Sequence, residues 1–216
     1  MTWITQVVLN FTIAFPAFAG VGRLHNMRKT YIPFVVLMIA GLISETVSFF
    51  LIISHQSNQL VYVLFSLVEA ILLLDQFRRW GSFRKHTWIF HSLVSVILVL
   101  WIIDFFAIGN IKNFNSFYLI IMSLLIIFLS ITRIPERMME KRNRSMKDPM
   151  FMICVALASY YSVAILVEAF WMYGYKDSKL FRVRIHDLHT YINAACNVIF
   201  AIAILWVPTR SRFLQQ

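Results

Sequence analysis

The stretch Ile185–Val207, IHDLHTYINAACNVIFAIAILWV, decides what kind of molecule this is. It is long and apolar enough to cross a hydrocarbon core of about 30 Å at about 1.5 Å per residue. Yet His186, His189, Asn193 and Asn197 recur along it at steps of three and four. On a helix those four residues share one face. A polar stripe on a membrane-length helix needs partners other than lipid. The chain supplies three carboxylates inside other apolar stretches, Glu45, Glu69 and Glu168.

Composition agrees with a membrane setting. The 216 residues are 60% hydrophobic and 14% charged, with a mean hydropathy of +0.72, far outside the range of soluble domains. Gly and Pro number only 6 and 5, and no stretch alternates apolar and polar residues over a strand's length, which favours helices over a transmembrane barrel. Cys154 and Cys196 both fall inside apolar stretches and say nothing about redox compartment. A net charge of +10 would suggest nucleic acid in a soluble protein. Here the basic residues cluster between apolar stretches, so topology explains them and no nucleic-acid partner is expected.

Seven apolar stretches are long enough to span: Trp3–Gly22, Tyr31–Ser54, Gln59–Phe77, Trp88–Ala107, Ser116–Thr132, Met150–Tyr173 and Ile185–Val207. The expected fold is all-α, one seven-transmembrane-helix bundle of residues 1–216 with no soluble domain. Fifteen of the 20 Lys and Arg lie in the tail and in the loops after the first, third and fifth spans, among them Arg23, Arg78, Arg84, Arg133 and Arg137. The opposite loops hold Lys112, Lys176, Lys179, Arg182 and Arg184. The positive-inside rule then puts the N-terminus outside and the C-terminus in the cytoplasm. All six Trp lie within about two turns of an expected span end, as interfacial aromatics do. Ala17-Phe18-Ala19 resembles a signal-peptidase site, but no Lys or Arg precedes the apolar run. Cleavage there would also invert the charge rule for every later loop. Leu-Val-Glu-Ala occurs at Leu67–Ala70 and Leu166–Ala169, in spans of opposite direction, which is not the pattern of a parallel repeat.

Depth connects the carboxylates to the stripe. Measured from the outer end of each span, Glu69 lies about 15 Å in, Glu45 about 14 Å, Asn193 about 12 Å, Glu168 about 8 Å and His189 about 6 Å. Each sits among polar neighbours at helical spacing: Gly41 and Ser48 with Glu45; Tyr62 and Ser66 with Glu69; Tyr161 with Glu168. A carboxylate at the bilayer centre costs about 2.5 to 3.5 kcal/mol on insertion scales, so such groups usually face the bundle interior and mark function. The competing reading is interhelical hydrogen bonding between neutral groups, worth about 0.6 kcal/mol each on average. Three carboxylates at a depth similar to the stripe favour an outward-facing cavity. Near the interfaces, Asp75, Asp104 and Asp187 read as solvated residues, and Pro16 as a kink in the first span.

No phosphate-binding Gly loop, G-x-S-x-G, H-E-x-x-H or C-x-x-C occurs, and the last span has no Lys for a retinal Schiff base. The fifth span lacks the proline expected of sugar carriers built as three plus one plus three helices. Ser48, Glu69, His186 and His189 loosely echo intramembrane hydrolases resembling alkaline ceramidases and adiponectin receptors. In those proteins a Ser, an Asp and histidines surround zinc. Here the histidines are three apart and Glu replaces Asp. With Ser66-Leu67-Val68-Glu69-Ala70 in the third span and His189, Asn193 and Asn197 in the last, the chain resembles small bacterial seven-helix membrane proteins of unknown function. That resemblance implies a multi-pass inner-membrane location and says nothing about activity.

Two functions follow as expectations. The first is a receptor or carrier, without a cofactor, whose cavity takes a small polar or cationic ligand. Glu45, Glu69 and Glu168 would meet its charge, Ser48, Ser66, His186, His189, Asn193 and Asn197 would hydrogen-bond it, and Tyr62, Tyr161 and Trp171 would wall it. As a receptor, it would pass its signal to a partner membrane protein. The alternative is a metal-dependent lipid hydrolase with His186, His189 and Glu69 around the metal.

Overall fold

The computed structural model describes residues 3–84, 86–108, 116–140, 147–173 and 179–208, and every described segment of any length is helical. Seven of its helices are long and apolar enough to cross a membrane. The first span is two helices, α1 (Trp3–Asn10) and α2 (Ala14–Arg23), joined by a 3-10 turn at Phe11–Ile13. The other six are α3 (Ile32–Ile53), α4 (Gln59–Arg79), α5 (Thr87–Ile103), α6 (Ser116–Glu140), α7 (Pro149–Tyr173) and α8 (Lys179–Trp206).

Two helices run on beyond their apolar cores. Helix α6 passes Pro135 and continues to Glu140, and α8 begins at Lys179, ahead of the expected Ile185. Hydropathy marks the part of a helix that lipid can solvate, whereas the backbone hydrogen-bond ladder continues into water without penalty.

The tightened turn in the first span has a local cause. Pro16 has no N–H to offer the carbonyl of Thr12, and its ring crowds that carbonyl, so the preceding turn winds as 3-10. The hydroxyl of Thr12 donates to the Leu9 carbonyl at 2.6 Å. Across from this turn Gly41 lets α3 come close, since a Cβ there would lie 2.4 Å from Ile13 Cδ1. Gly41 therefore serves helix packing.

Helices α2, α3, α4, α6, α7 and α8 pack each against the next, and α8 closes back on α2. Helix α5 stands outside this ring, packed on α4 and α6 with Ile97 as its one buried residue. Its indole Trp101 Nε1 donates to the Val63 carbonyl of α4 at 3.0 Å. The α5 backbone ends in a π turn, Asp104–Ile108, and Asp104 accepts a hydrogen bond from the Tyr118 amide at 3.0 Å. Asp104 is only 3% exposed, which corrects its reading as a solvated residue. It satisfies an amide in the first turn of α6 that no intrahelical carbonyl can reach.

The end of the bundle that carries most of the Lys and Arg is tied by side chain to backbone bonds. Gln76, fully buried, accepts from the Phe34 amide at 2.9 Å and donates to the Thr30 carbonyl at 2.7 Å, capping the start of α3 from α4. Arg23 donates to the carbonyls of Val207 at 2.9 Å and Ile204 at 3.4 Å, where α8 runs out of intrahelical partners. Arg137 of α6 lies 3.7 Å from the buried carboxylate of Asp148, just ahead of α7. Asp75 pairs with Arg78 and Arg79, as its expected solvated position allows.

Candidate functional site

Glu45 projects from the middle of α3 and Glu69 from the middle of α4, both partly buried. Helix is the natural state for both segments: Ile, Leu, Val and Phe surround them, and backbone groups in lipid must bond within their own segment. What surrounds the carboxyls is a set of phenols. Tyr62, two turns before Glu69 on α4, lies beside Ser48 and within electrostatic reach of Glu45. The Tyr161 hydroxyl on α7 faces the Glu69 carboxyl without reaching full hydrogen-bond geometry. Its neighbour Tyr160 is within electrostatic reach of Glu69, Glu45, Tyr62 and Cys196 together. From α6, Tyr118 reaches the same region and donates to the Ser66 carbonyl at 3.3 Å. The α7 tyrosines thus join the two glutamates of α3 and α4 to α8.

Helix α8 enters this cluster through His189, whose ring packs on Tyr160 with centroids 5.2 Å apart. His186, one turn earlier, is exposed, and its carbonyl accepts from Thr190 Oγ1 at 3.0 Å. Asn193 is partly buried on the same stripe. Asn197 is buried and directed elsewhere: its Nδ2 donates to Thr12 Oγ1 at 3.1 Å, joining α8 to the tightened turn of the first span. Glu168, two turns beyond Tyr161 on α7, is partly buried, and neither it nor Asp187 is without a partner. The side chain of Trp171 lies outside the described residues.

Hydroxyl bonding separates two kinds of serine. Ser66 donates to its own helix at the Val63 carbonyl, and Thr46, Ser159 and Ser162 likewise donate to carbonyls three or four residues back. Ser44 and Ser48 are buried on α3, and their hydroxyls make no such bond. Both flank Glu45, at one residue before and three after.

Of the residues that sequence spacing brought to notice, Tyr62 lies beside Glu45 and Ser48, Tyr161 faces Glu69, and His189 meets the others only through Tyr160. Spacing missed Tyr118 and Tyr160, which in an apolar run look like ordinary core aromatics. For Tyr160 the signal was the tandem Tyr160-Tyr161, which at 100° per residue points the two phenols in different directions; Tyr118 had none. For the hydrolase reading, the described residues contain no group of three His, Cys, Asp or Glu able to hold a metal ion, so His186, His189 and Glu69 do not form a ligand set.

Comparisons with protein-family models, with curated proteins and with solved structures find no match to this chain.

Proposed function

We propose that this seven-helix, multi-pass membrane protein is a receptor or carrier that binds a small polar or cationic ligand between α3, α4, α7 and α8. The observation that carries the reading is the approach of Glu45 and Glu69, from two helices, to Tyr160 on a third. Carboxylates offer acceptors only, and phenol rings offer both hydroxyl groups and electron-rich faces, a combination suited to a positively charged group. Ser48 adds a buried hydroxyl with no hydrogen bond to its own helix.

In this reading the N-terminus and the α3–α4 loop lie outside the cell, and the Arg-rich end lies in the cytoplasm. The distribution of Lys and Arg supports that orientation. The site would then open outward, in the cell membrane.

Thermal unfolding of the detergent-purified protein against a panel of small organic cations and their neutral isosteres tests the reading. At least one cation should stabilise the wild type, because a ligand that binds only the folded state raises its stability. The same cation should do little for Glu45→Gln or Glu69→Gln. Equal responses to cations and isosteres would count against it.

A further inference from the structure

Glu45 lies on the side of α3 that the first span covers. One turn toward the Arg-rich end, Gly41 makes room for the Ile13 side chain, since a Cβ there would lie 2.4 Å from Ile13 Cδ1. One turn the other way, the Phe49 ring meets Phe11 at 5.7 Å and Trp3 at 6.2 Å between centroids. Gly41, Glu45 and Phe49 follow one another at steps of four, so the carboxylate stands on one stripe between two points of contact with the first span.

The two halves of that span hold α3 differently. Helix α2 packs closely on both α3 and α8 and buries Pro16, Ala17 and Gly20. A Cβ at Gly20 would lie 2.6 Å from Val35 Cγ1, so α2 and α3 approach through a position with no side chain. Beyond the 3-10 turn, α1 packs closely on α8, has no buried residue, and reaches α3 through the stacked rings of Trp3 and Phe49. Rings therefore close the α1–α3 seam, and they can rotate aside without breaking a backbone hydrogen bond. Ile4 and Val8 on α1 and Val47 and Phe50 on α3 are exposed, which puts lipid beside both helices. Neither Trp3–Gly22 nor Ile32–Ile53 contains Lys or Arg, so the two spans offer Glu45 no fixed cation.

We propose that the α1–α3 seam admits an amphiphilic ammonium ion, a small cationic head on an alkyl chain, from the bilayer to Glu45. The inference rests on the binding reading above and adds the ligand class and its route. Only the head enters: it passes the faces of Trp3, Phe11 and Phe49, which attract a cation, and donates its N–H groups to the carboxylate. The chain stays in lipid beside the exposed side chains of α1 and α3. Each buried CH2 favours the bilayer, so such a ligand is concentrated at the seam, whereas a small hydrophilic ammonium remains in water. The 3-10 turn stays in place meanwhile, held to α8 by Asn197 on Thr12 and to α3 by Ile13 against Gly41.

The experiment uses full-length protein in lipid nanodiscs at mildly acid pH. Dicyclohexylcarbodiimide, which partitions into lipid and modifies carboxyl groups, is the reagent, and peptide mass spectrometry reports the labelling of Glu45. Glu45 should be labelled, and dodecylammonium chloride below its micellar concentration should suppress that labelling. Methylammonium chloride and dodecanol should not. Equal protection by methylammonium overturns the route from lipid and leaves the binding reading standing. Labelling that dodecylammonium does not suppress, or that dodecanol suppresses equally, overturns the ligand class. Absence of labelling overturns the route, and in both of these cases the cation panel decides the binding reading separately. Phe49→Ala opens the seam and should speed labelling, as should Trp3→Ala from the other side, whereas Phe50→Ala on the lipid-exposed side should not. Unchanged rates in the folded seam variants, or an equal rise in Phe50→Ala, overturn the seam as the way in.

Discussion

The ring of Tyr160 on α7 packs against the imidazole of His189 on α8, centroids 5.2 Å apart and planes tilted by 39°. The same tyrosine lies within electrostatic reach of Glu45 on α3 and Glu69 on α4. One residue therefore connects the polar stripe of the last span to the carboxylates of two earlier ones, and separating its ring from its hydroxyl separates packing from site chemistry. Tyr160→Phe keeps the ring contact, and its cost in stability should stay below about 1 kcal/mol. Tyr160→Ala should cost about 3 kcal/mol or more through lost packing. Unfolding in mixed micelles measures both, and equal costs would mean that the hydroxyl, not the ring, holds α7 against α8.

Asn197 carries a second, structural bond. Its donation to Thr12 at 3.1 Å joins α8 to the turn that Pro16 tightens. A double-mutant cycle with Asn197→Ala and Thr12→Val should give a coupling near the roughly 0.6 kcal/mol average for such bonds in membranes, and at most about 1.7 kcal/mol. Strictly additive losses would show that the two side chains do not bond in the folded bundle.

Gln76 and Asp104 each complete the first turn of another helix. Gln76→Leu should cost about 2 to 3 kcal/mol, because it leaves the buried Phe34 amide and Thr30 carbonyl without partners. Asp104→Asn, which keeps a carbonyl oxygen for the Tyr118 amide, should be milder than Asp104→Ala, whose cost is expected near 1 kcal/mol. Thermal midpoints of the purified variants rank the three. A harmless Gln76→Leu would contradict the capping role.

How far the sequence carried the fold can be judged from these residues. The seven spans were legible because a lipid-crossing helix requires a long apolar run, and each run is present. Glu45 and Glu69 stood out for the converse reason, as charges where lipid disfavours them. Asp104 was misread because its distance from a span end suggested water, whereas a π turn carries it inward to meet Tyr118. Asn197 falls on the face of α8 that periodicity assigned to the stripe. Which neighbour that face meets depends on the closing of α8 onto α2, and no local pattern encodes that closure. Tyr118 and Tyr160 escaped notice because phenols inside apolar runs also serve as plain packing residues.

Orientation is open to direct measurement. In a background with Cys154 and Cys196 replaced by Ala, a single cysteine at Asn58 should react with a membrane-impermeant maleimide in intact cells. One at Arg84 should react only after the cells are opened. The reverse pattern would place the α3–α4 loop in the cytoplasm and turn the site inward.

The central claim is that Glu69 acts through its negative charge, and saturation binding of the small organic cation that most stabilises the wild type, in radiolabelled form, to purified wild type, Glu69→Asp and Glu69→Gln tests it most directly. Gln keeps the size of Glu and most of its hydrogen-bonding capacity but cannot carry the anion. The account predicts saturable binding to the wild type, weakened binding to Glu69→Asp, and at least a tenfold loss in Glu69→Gln, with all three proteins showing the same helical content and monodisperse elution. Binding to folded Glu69→Gln with wild-type affinity would contradict it and reduce Glu69 to a hydrogen-bonding partner of Tyr161.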